Sequence, residues 1–159
     1  MSIKQSELIL NPDGSIYHLH LRPEDLATTI ITVGDPDRVD QVSKYFDHIE
    51  LKQQKREFKT HTGLYKNQRI TVISTGIGSD NIDIVLNELD ALVNIDFETR
   101  TLKNKLTALN IVRIGTSGAL QADIPVDSIL MSTYGLDING MLPPYKIETI
   151  SNKAFEKAF

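Results

Sequence analysis

The chain has no cysteine, which excludes disulfides, thiolate zinc centres and cysteine nucleophiles. No apolar run approaches the roughly 18 residues that a membrane-spanning helix needs, and the N-terminus lacks the basic-then-apolar layout of a secretory signal. A soluble, cytoplasmic protein is the expectation. Positive charge is also not in excess. The net charge is −4 and the pI about 5.5, whereas sequence-independent nucleic-acid binding needs a surplus of Lys and Arg on one face. Recognition of an anion would have to be local. The P-loop pattern G-x-x-x-x-G-K-[ST] is missing, which disfavours nucleoside triphosphate hydrolysis. His18, His20, His48 and His61 show neither H-E-x-x-H nor another close ligand spacing.

What is there suits a globular chain. With 159 residues, 40% hydrophobic and 24% charged, it reads as a single domain over 1–159 with a core of its own. Thr29 to Val33 is a β-branched apolar run that stops at Gly34, and Val39, Val42 and Phe46 follow at helical spacing. Arg56 to Tyr65 and Arg69 to Thr75 read as a hairpin joined through Lys66-Asn67-Gln68, with Arg56 opening its first strand. After Gly76-Ile77-Gly78, residues Ile82, Val85, Leu86, Leu89 and Val93 share one helix face, with Ser79 or Asp80 as N-cap. Asp80, Asp83, Glu88 and Asp90 read as the solvated face of that helix. A second helix is expected from near Asp96 to about Lys105. Leu109 to Ile114 reads as a strand buried on both faces, and Ser128 to Tyr134 as another. Strands alternating with helices predict an α/β fold whose sheet is largely parallel in its centre. Ser151 reads as the N-cap of a helix carrying Phe155 and Phe159, with no C-cap after it, so a chain truncated inside an element is the expectation.

The chemistry-bearing residues are three arginines, Arg38, Arg56 and Arg113. Two of them lie beside glycine turns that follow strands, in Thr32-Val33-Gly34-Asp35-Pro36-Asp37-Arg38 and in Arg113-Ile114-Gly115-Thr116-Ser117-Gly118. Such turns aim backbone N–H groups and guanidinium forks at one place, which suits an oxyanion such as phosphate. Arg113 ends a strongly apolar strand, and burying its charge without a partner would cost several kcal/mol. Thr116 and Ser117 add hydroxyl donors. Gly76-Ile77-Gly78-Ser79-Asp80-Asn81 falls short of the dinucleotide fingerprint, because Asn81 stands at the third glycine and Asp96, at the distance of the acidic residue, is expected in a loop or N-cap rather than at the end of a second strand.

Together, Tyr17-His18-Leu19, Gly34-Asp35-Pro36-Asp37-Arg38-Val39, Arg56-Glu57-Phe58, Ser74-Thr75-Gly76-Ile77-Gly78 and Arg113-Ile114-Gly115-Thr116-Ser117-Gly118-Ala119 resemble the nucleoside phosphorylases, most closely their uridine phosphorylase branch. The match covers the first part of the family's domain. The resemblance implies a three-layer α/β/α sandwich around a mixed, mainly parallel sheet, and phosphate-dependent cleavage of an N-glycosidic bond. It implies that Gly34, Arg38, Arg56, Arg113 and Thr116 bind phosphate and that Arg113 and Thr116 serve catalysis. His18 and Thr116 would bind ribose, His18 at its 5′-hydroxyl. Arg56 and His18 would act on a neighbouring subunit, in a homo-oligomer that is a dimer or a hexamer built of dimers. The only co-reactant implied is inorganic phosphate, with no cofactor. A potassium site is implied at Glu57, the carbonyl of Ile77 and Asn81, where Asn81 replaces a serine. The stretch from Asn94 to Lys105 is longer than its counterpart in bacterial uridine enzymes. The residues that grip the base would lie beyond Phe159. A purine phosphorylase, a hydrolytic nucleosidase and an inactive phosphate-binding module remain as alternatives.

Overall fold

The computed structural model describes residues 2–142, 144–147 and 151–157, the last without the side chains of 155 and 156. The chain forms two compact units, Met1–Thr116 and Ser117–Phe159.

In the first unit the order is β1 (Thr29–Val33), α1 (Asp37–Ser43), β2 (His48–Lys55), β3 (Phe58–Tyr65), β4 (Gln68–Ser74), α2 (Ser79–Asn94), β5 (Ile95–Asp96), β6 (Thr101–Leu102) and β7 (Asn110–Arg113). One five-stranded sheet runs β2-β3-β4-β1-β7. β1 pairs in parallel with β4 and β7, whereas β2-β3 and β3-β4 are antiparallel. The sheet is therefore mixed, with helices on both faces. Alternation along β1 makes this possible, because successive side chains point to opposite faces. Ile31 and Val33 join Val39, Val42 and Phe46 on the α1 face, together with Val72. Ile30 joins Ile73, Phe58, Val85, Leu89, Leu92 and the N-terminal leucines on the α2 face. Fully burying one such side chain contributes about 1.5 to 3 kcal/mol.

Several expectations are corrected. The first hairpin strand opens at Phe58, and Arg56 sits before it in the β2–β3 turn with φ 56°. Its partner β2 is a strand that the sequence reading did not include. The β3–β4 turn closes through Lys66 and Asn67, both left-handed, as a two-residue hairpin requires. Gly78, with φ 110°, precedes the first turn of α2 in place of a Ser79 or Asp80 cap. The buried stripe of α2 is Val85, Leu89 and Leu92, and Leu86 is exposed. The helix expected from Asp96 is a short β5–β6 hairpin. Its cause is local, since the Asp96 carboxylate accepts the N–H groups of Glu98 and Thr99, each at 2.9 Å, and turns the chain back. These bonds hold the Asp96 carboxyl below its usual range, the Thr99 backbone contributing most. β7 is an edge strand exposed along its length, so neither its apolar run nor Arg113 is buried as expected.

The second unit contains α3 (Lys153–Glu156), and residues 128–134 form no strand. Asn152, not Ser151, accepts an N–H of the first turn, that of Ala154 at 3.1 Å. The expected contacts of Phe155 and Phe159 lie outside the described residues.

One buried group gives the fold a pH dependence. His61 on β3 is 2% exposed and its Nδ1 meets Ser43 Oγ, at the end of α1, at 2.8 Å. Burial pushes its pKa below 6.5; Asp40 opposes that shift, and Lys52 and Lys59 add to it. The unfolded chain then binds the proton first, so stability is full above the unfolded pKa of 6.5 and declines as pH falls through it. Thermal melts should move to lower temperature between about pH 7.5 and pH 5.5. His61→Gln should flatten that slope, and an unchanged slope would dismiss His61 as its source.

Candidate active site

The three parallel strands β4, β1 and β7 end side by side, and all the glycine turns leave from those ends. Register makes this exact at the residue level: Val33 lies opposite Ser74, and Thr32 opposite Arg113. The ladders continue one step beyond the strands, with Thr75 N–H donating to Val33 O at 2.8 Å and Ile114 N–H to Thr32 O at 2.9 Å. Gly34, Gly76 and Gly115 thus follow three neighbouring strand ends. The carboxyl edge of parallel strands is where open α/β sheets bind ligands.

The Gly34 turn is held by Asp35, whose carboxylate accepts the Asp37 N–H at 2.9 Å, and whose carbonyl accepts the Arg38 N–H at 3.1 Å. This starts α1 and places Arg38 in its first turn. Arg38 Nη2 reaches Thr116 Oγ1 at 3.4 Å. The Arg113 guanidinium folds back over Gly115, so that a Cβ there would collide with Nη1. The Gly115-Thr116 turn therefore meets two guanidinium groups, that of Arg113 at Gly115 and that of Arg38 at Thr116.

Beside them is a pocket of about 510 Å³ lined by Gly34, Asp35, Pro36, Arg38, Glu57, Gly76, Ile77 and Asn81. Ser74 Oγ donates to the Glu57 carbonyl at 2.5 Å and accepts the Lys59 N–H at 2.8 Å, which ties the β2–β3 turn to the end of β4. Glu57 and Asn81 both close on Gly76. A Cβ at Gly76 would lie 2.9 Å from Glu57 Cγ and 2.6 Å from Asn81 Nδ2. Ile77 at the rim is 94% exposed.

Of the residues expected to act together, Gly34, Arg38, Arg113 and Thr116 gather at these strand ends, where Gly34 and Arg38 line the pocket and Arg113 and Thr116 lie outside its lining. Arg56 and His18 do not line the pocket either. Arg56 projects from the turn next to Glu57. His18 instead packs edge-on against Tyr17 and Phe58, with ring centroids 4.8 and 6.4 Å away. The potassium set fits a cation poorly, because Asn81 turns its amide donor onto the Ile77 carbonyl at 3.4 Å.

The arginines divide cleanly by partner. Arg69 bonds Glu50 and the carbonyls of Leu26 and Glu24; Arg100 bonds the carbonyls of Ile3, Lys4 and Leu8; Arg22 lies 3.9 Å from Asp13. Among the described residues, no carboxylate pairs with Arg38, Arg56 or Arg113.

Glu88 is a residue that the sequence reading misplaced. Its side chain is only 13% exposed and is turned inward onto His18, so it is not part of a solvated face. An acid at a helix position that points to the core was the one available signal.

A model of the Phosphorylase superfamily matches residues 28–155. The chain is 31% identical over 133 residues to the uridine phosphorylase of Thermococcus kodakarensis, covering 84% of this chain and 43% of that protein. It is 29% identical over 116 residues to the DeoD-type purine nucleoside phosphorylase of Listeria welshimeri, covering 72% and 44%. A solved Trypanosoma brucei nucleoside phosphorylase, described as showing uridine phosphorylase activity, superposes with a TM-score of 0.68 at 40% identity, over 74% of this chain and 41% of that one. The chain spans less than half the length of the curated relatives it matches. With the match extending over most of its length, the chain belongs to the phosphorylase superfamily, on the side of its nucleoside phosphorylases.

Proposed function

We propose that the chain carries the phosphate-binding and part of the ribose-binding machinery of a nucleoside phosphorylase acting on uridine. The reaction is phosphate-dependent cleavage to free base and ribose 1-phosphate. The observation that carries this reading is the division of the arginines. Structural arginines in this chain have carboxylate or carbonyl partners, while Arg38 and Arg113 lie at a glycine turn at the strand ends and, among the described residues, form no ion pair with a carboxylate. A dianion there would satisfy both.

In this reading Gly34 lets the chain approach phosphate closely, Arg38 and Arg113 hold it, and Thr116 bridges phosphate and ribose. As the bond to the base breaks, positive charge develops on C1′ and O4′ of the ribose. A phosphate held beneath that face stabilises the charge and stands in position to attack C1′. The base leaves with the bonding electrons, and phosphate oxygen forms the new bond. No step is routed through a potassium ion.

In the same reading Arg56 and His18 serve a neighbouring subunit; Arg56 is exposed on the β2–β3 turn and the His18 side chain is 25% exposed, so a partner can reach both. A homo-oligomer follows from that assignment, and we take it to be a dimer or a hexamer built of dimers. No helix among the described residues is long and apolar enough to cross a membrane, and we place the enzyme in the cytoplasm.

The test is base release by the chain as purified. Uracil should appear from uridine only when phosphate is present, together with ribose 1-phosphate. Release without phosphate would replace this reading with a hydrolytic nucleosidase, and release from inosine alone with a purine phosphorylase, the activity named for the Listeria relative. Phosphate binding without any turnover would leave a binding module.

A further inference from the structure

The inward turn of Glu88 has a chemical consequence for His18. The carboxylate sits where three N–H groups converge. The His18 backbone N–H donates to Oε1 at 3.0 Å and Oε2 at 3.1 Å, and the Leu19 N–H donates to Oε2 at 2.8 Å. His18 Nδ1 lies 2.7 Å from Oε1. An ionised carboxylate has no hydrogen to give, so each of these contacts requires the nitrogen to be the donor. Nδ1 therefore carries the ring hydrogen. In the neutral ring Nε2 is left as a bare acceptor.

The rest of the segment is held as firmly. Lys55 Nζ donates to the Tyr17 carbonyl at 2.5 Å and to Asn11 Oδ1 at 3.1 Å, and lies 4.5 Å from the centre of the Tyr17 ring. Tyr17 and Phe58 fix the plane of the His18 ring from its edges. The imidazole is still 25% exposed, so a partner can reach it. A neutral histidine whose tautomer is set by a carboxylate on one nitrogen offers one defined hydrogen-bonding role at the other.

We propose that Glu88 is a positioning residue for His18, and that it presents Nε2 as an acceptor for a hydroxyl donor on the ligand. This rests on the reading of His18 as a ribose ligand, in which the donor is the 5′-hydroxyl of the nucleoside. Specificity follows. A nucleoside lacking that hydroxyl leaves Nε2 without its partner and binds roughly tenfold less well.

The experiment is a long-range proton–nitrogen correlation spectrum of the His18 ring at about pH 8.5, above histidine's ordinary titration range. The native protein should show Nδ1 protonated and Nε2 bare. In Glu88→Gln the amide can keep its oxygen on the backbone N–H groups only by turning its NH2 toward Nδ1. The tautomer should therefore switch to Nε2–H, a change that loss of packing alone would not produce. A native ring protonated at Nε2, or a Glu88→Gln ring that keeps Nδ1–H, overturns the positioning role. Addition of uridine should shift the His18 ring resonances, and 5′-deoxyuridine should shift them far less. If the tautomers behave as stated but both nucleosides leave the ring unmoved, the ligand part is overturned. Failure of the phosphate site would be seen separately, as phosphate affinity indifferent to Arg38.

Discussion

Replacing Arg38 with alanine is expected to weaken inorganic phosphate binding roughly ten- to a hundredfold. A charge-assisted hydrogen bond contributes about 1.5 to 3 kcal/mol, and each 1.4 kcal/mol is about a factor of ten. Arg113→Ala should have an effect of the same size, because its guanidinium lies over Gly115, next to the Thr116 that Arg38 contacts. Neither change should cost much stability. Arg113 is exposed, and the Arg38 contact to Thr116 is long, at 3.4 Å. Arg69→Ala supplies the contrast. Its guanidinium ties Glu50 to the carbonyls of Leu26 and Glu24, so its loss should lower the melting temperature and leave phosphate affinity alone. Calorimetric titration of phosphate into the variants checks all of these. Equal affinity in the native protein and Arg38→Ala would remove the phosphate cradle, and a matching loss in Arg69→Ala would show that the effect is not specific to the site.

The contrast between these arginines also marks what was legible in the sequence. Arg38 and Arg113 could be read because their settings are local: an apolar run, a glycine turn, then the charge. The same locality made β1, α1, the β3–β4 hairpin and the existence of α2 readable. Where the expectation failed, the deciding contact was distant or the pattern was weak. β2 reads His-Ile-Glu-Leu-Lys-Gln-Gln-Lys, an edge strand with two apolar residues, and polar edge strands carry little hydrophobic signal. The Asp96 segment has helical composition, but one carboxylate accepting two N–H groups turned it into a hairpin. Glu88 meets His18 and Leu19 about 70 residues away in the chain, a pairing that periodicity along α2 does not reveal. β7 looked like a central strand because its apolar run was read as burial on both faces, whereas its place at the sheet edge depends on which strands lie beside it.

The proposed site inherits this division. Its proposed phosphate-binding part is built from strand ends and the turns that leave them, which local sequence reveals. The proposed ribose contact of His18 depends on the segment around that residue. Glu88 and Lys55 hold that segment from two different elements. Function in such a site is exposed to substitutions that touch no ligand, since a shift of α2 carries Glu88 and hence the His18 ring.

The second large effect is expected at Gly63, on β3 and far from any strained backbone conformation. A Cβ there would overlap the His48 carbonyl oxygen and come within 2.9 Å of Phe46 Cδ2 and 3.0 Å of Ile49 Cα. Two of these atoms are backbone of β2, at the point where the β2–β3 register shifts between Ile49 and Leu51. No rotamer change relieves that overlap, so β2 must move away from β3. Overpacking typically costs about 1 to 3 kcal/mol or more, and Gly63→Ala should lower the melting temperature by on the order of 10 °C. Gly76→Ala meets a different obstacle. Its φ of 68° strains an L residue, by about 1 to 2 kcal/mol, but the nearest atom in its way is the amide end of Asn81, which can rotate, followed by Cγ and Cβ of Glu57 at 2.9 and 3.3 Å. It should melt above Gly63→Ala while reshaping the pocket that Asn81 and Glu57 line. Combining it with Asn81→Ala should recover the Asn81 share of the packing loss and leave the φ strain and the Glu57 contact. A melting temperature for Gly63→Ala within about 2 °C of the native value would mean that β2 yields without cost. The β2–β3 turn carrying Arg56 and Glu57 would then be a movable part of the site.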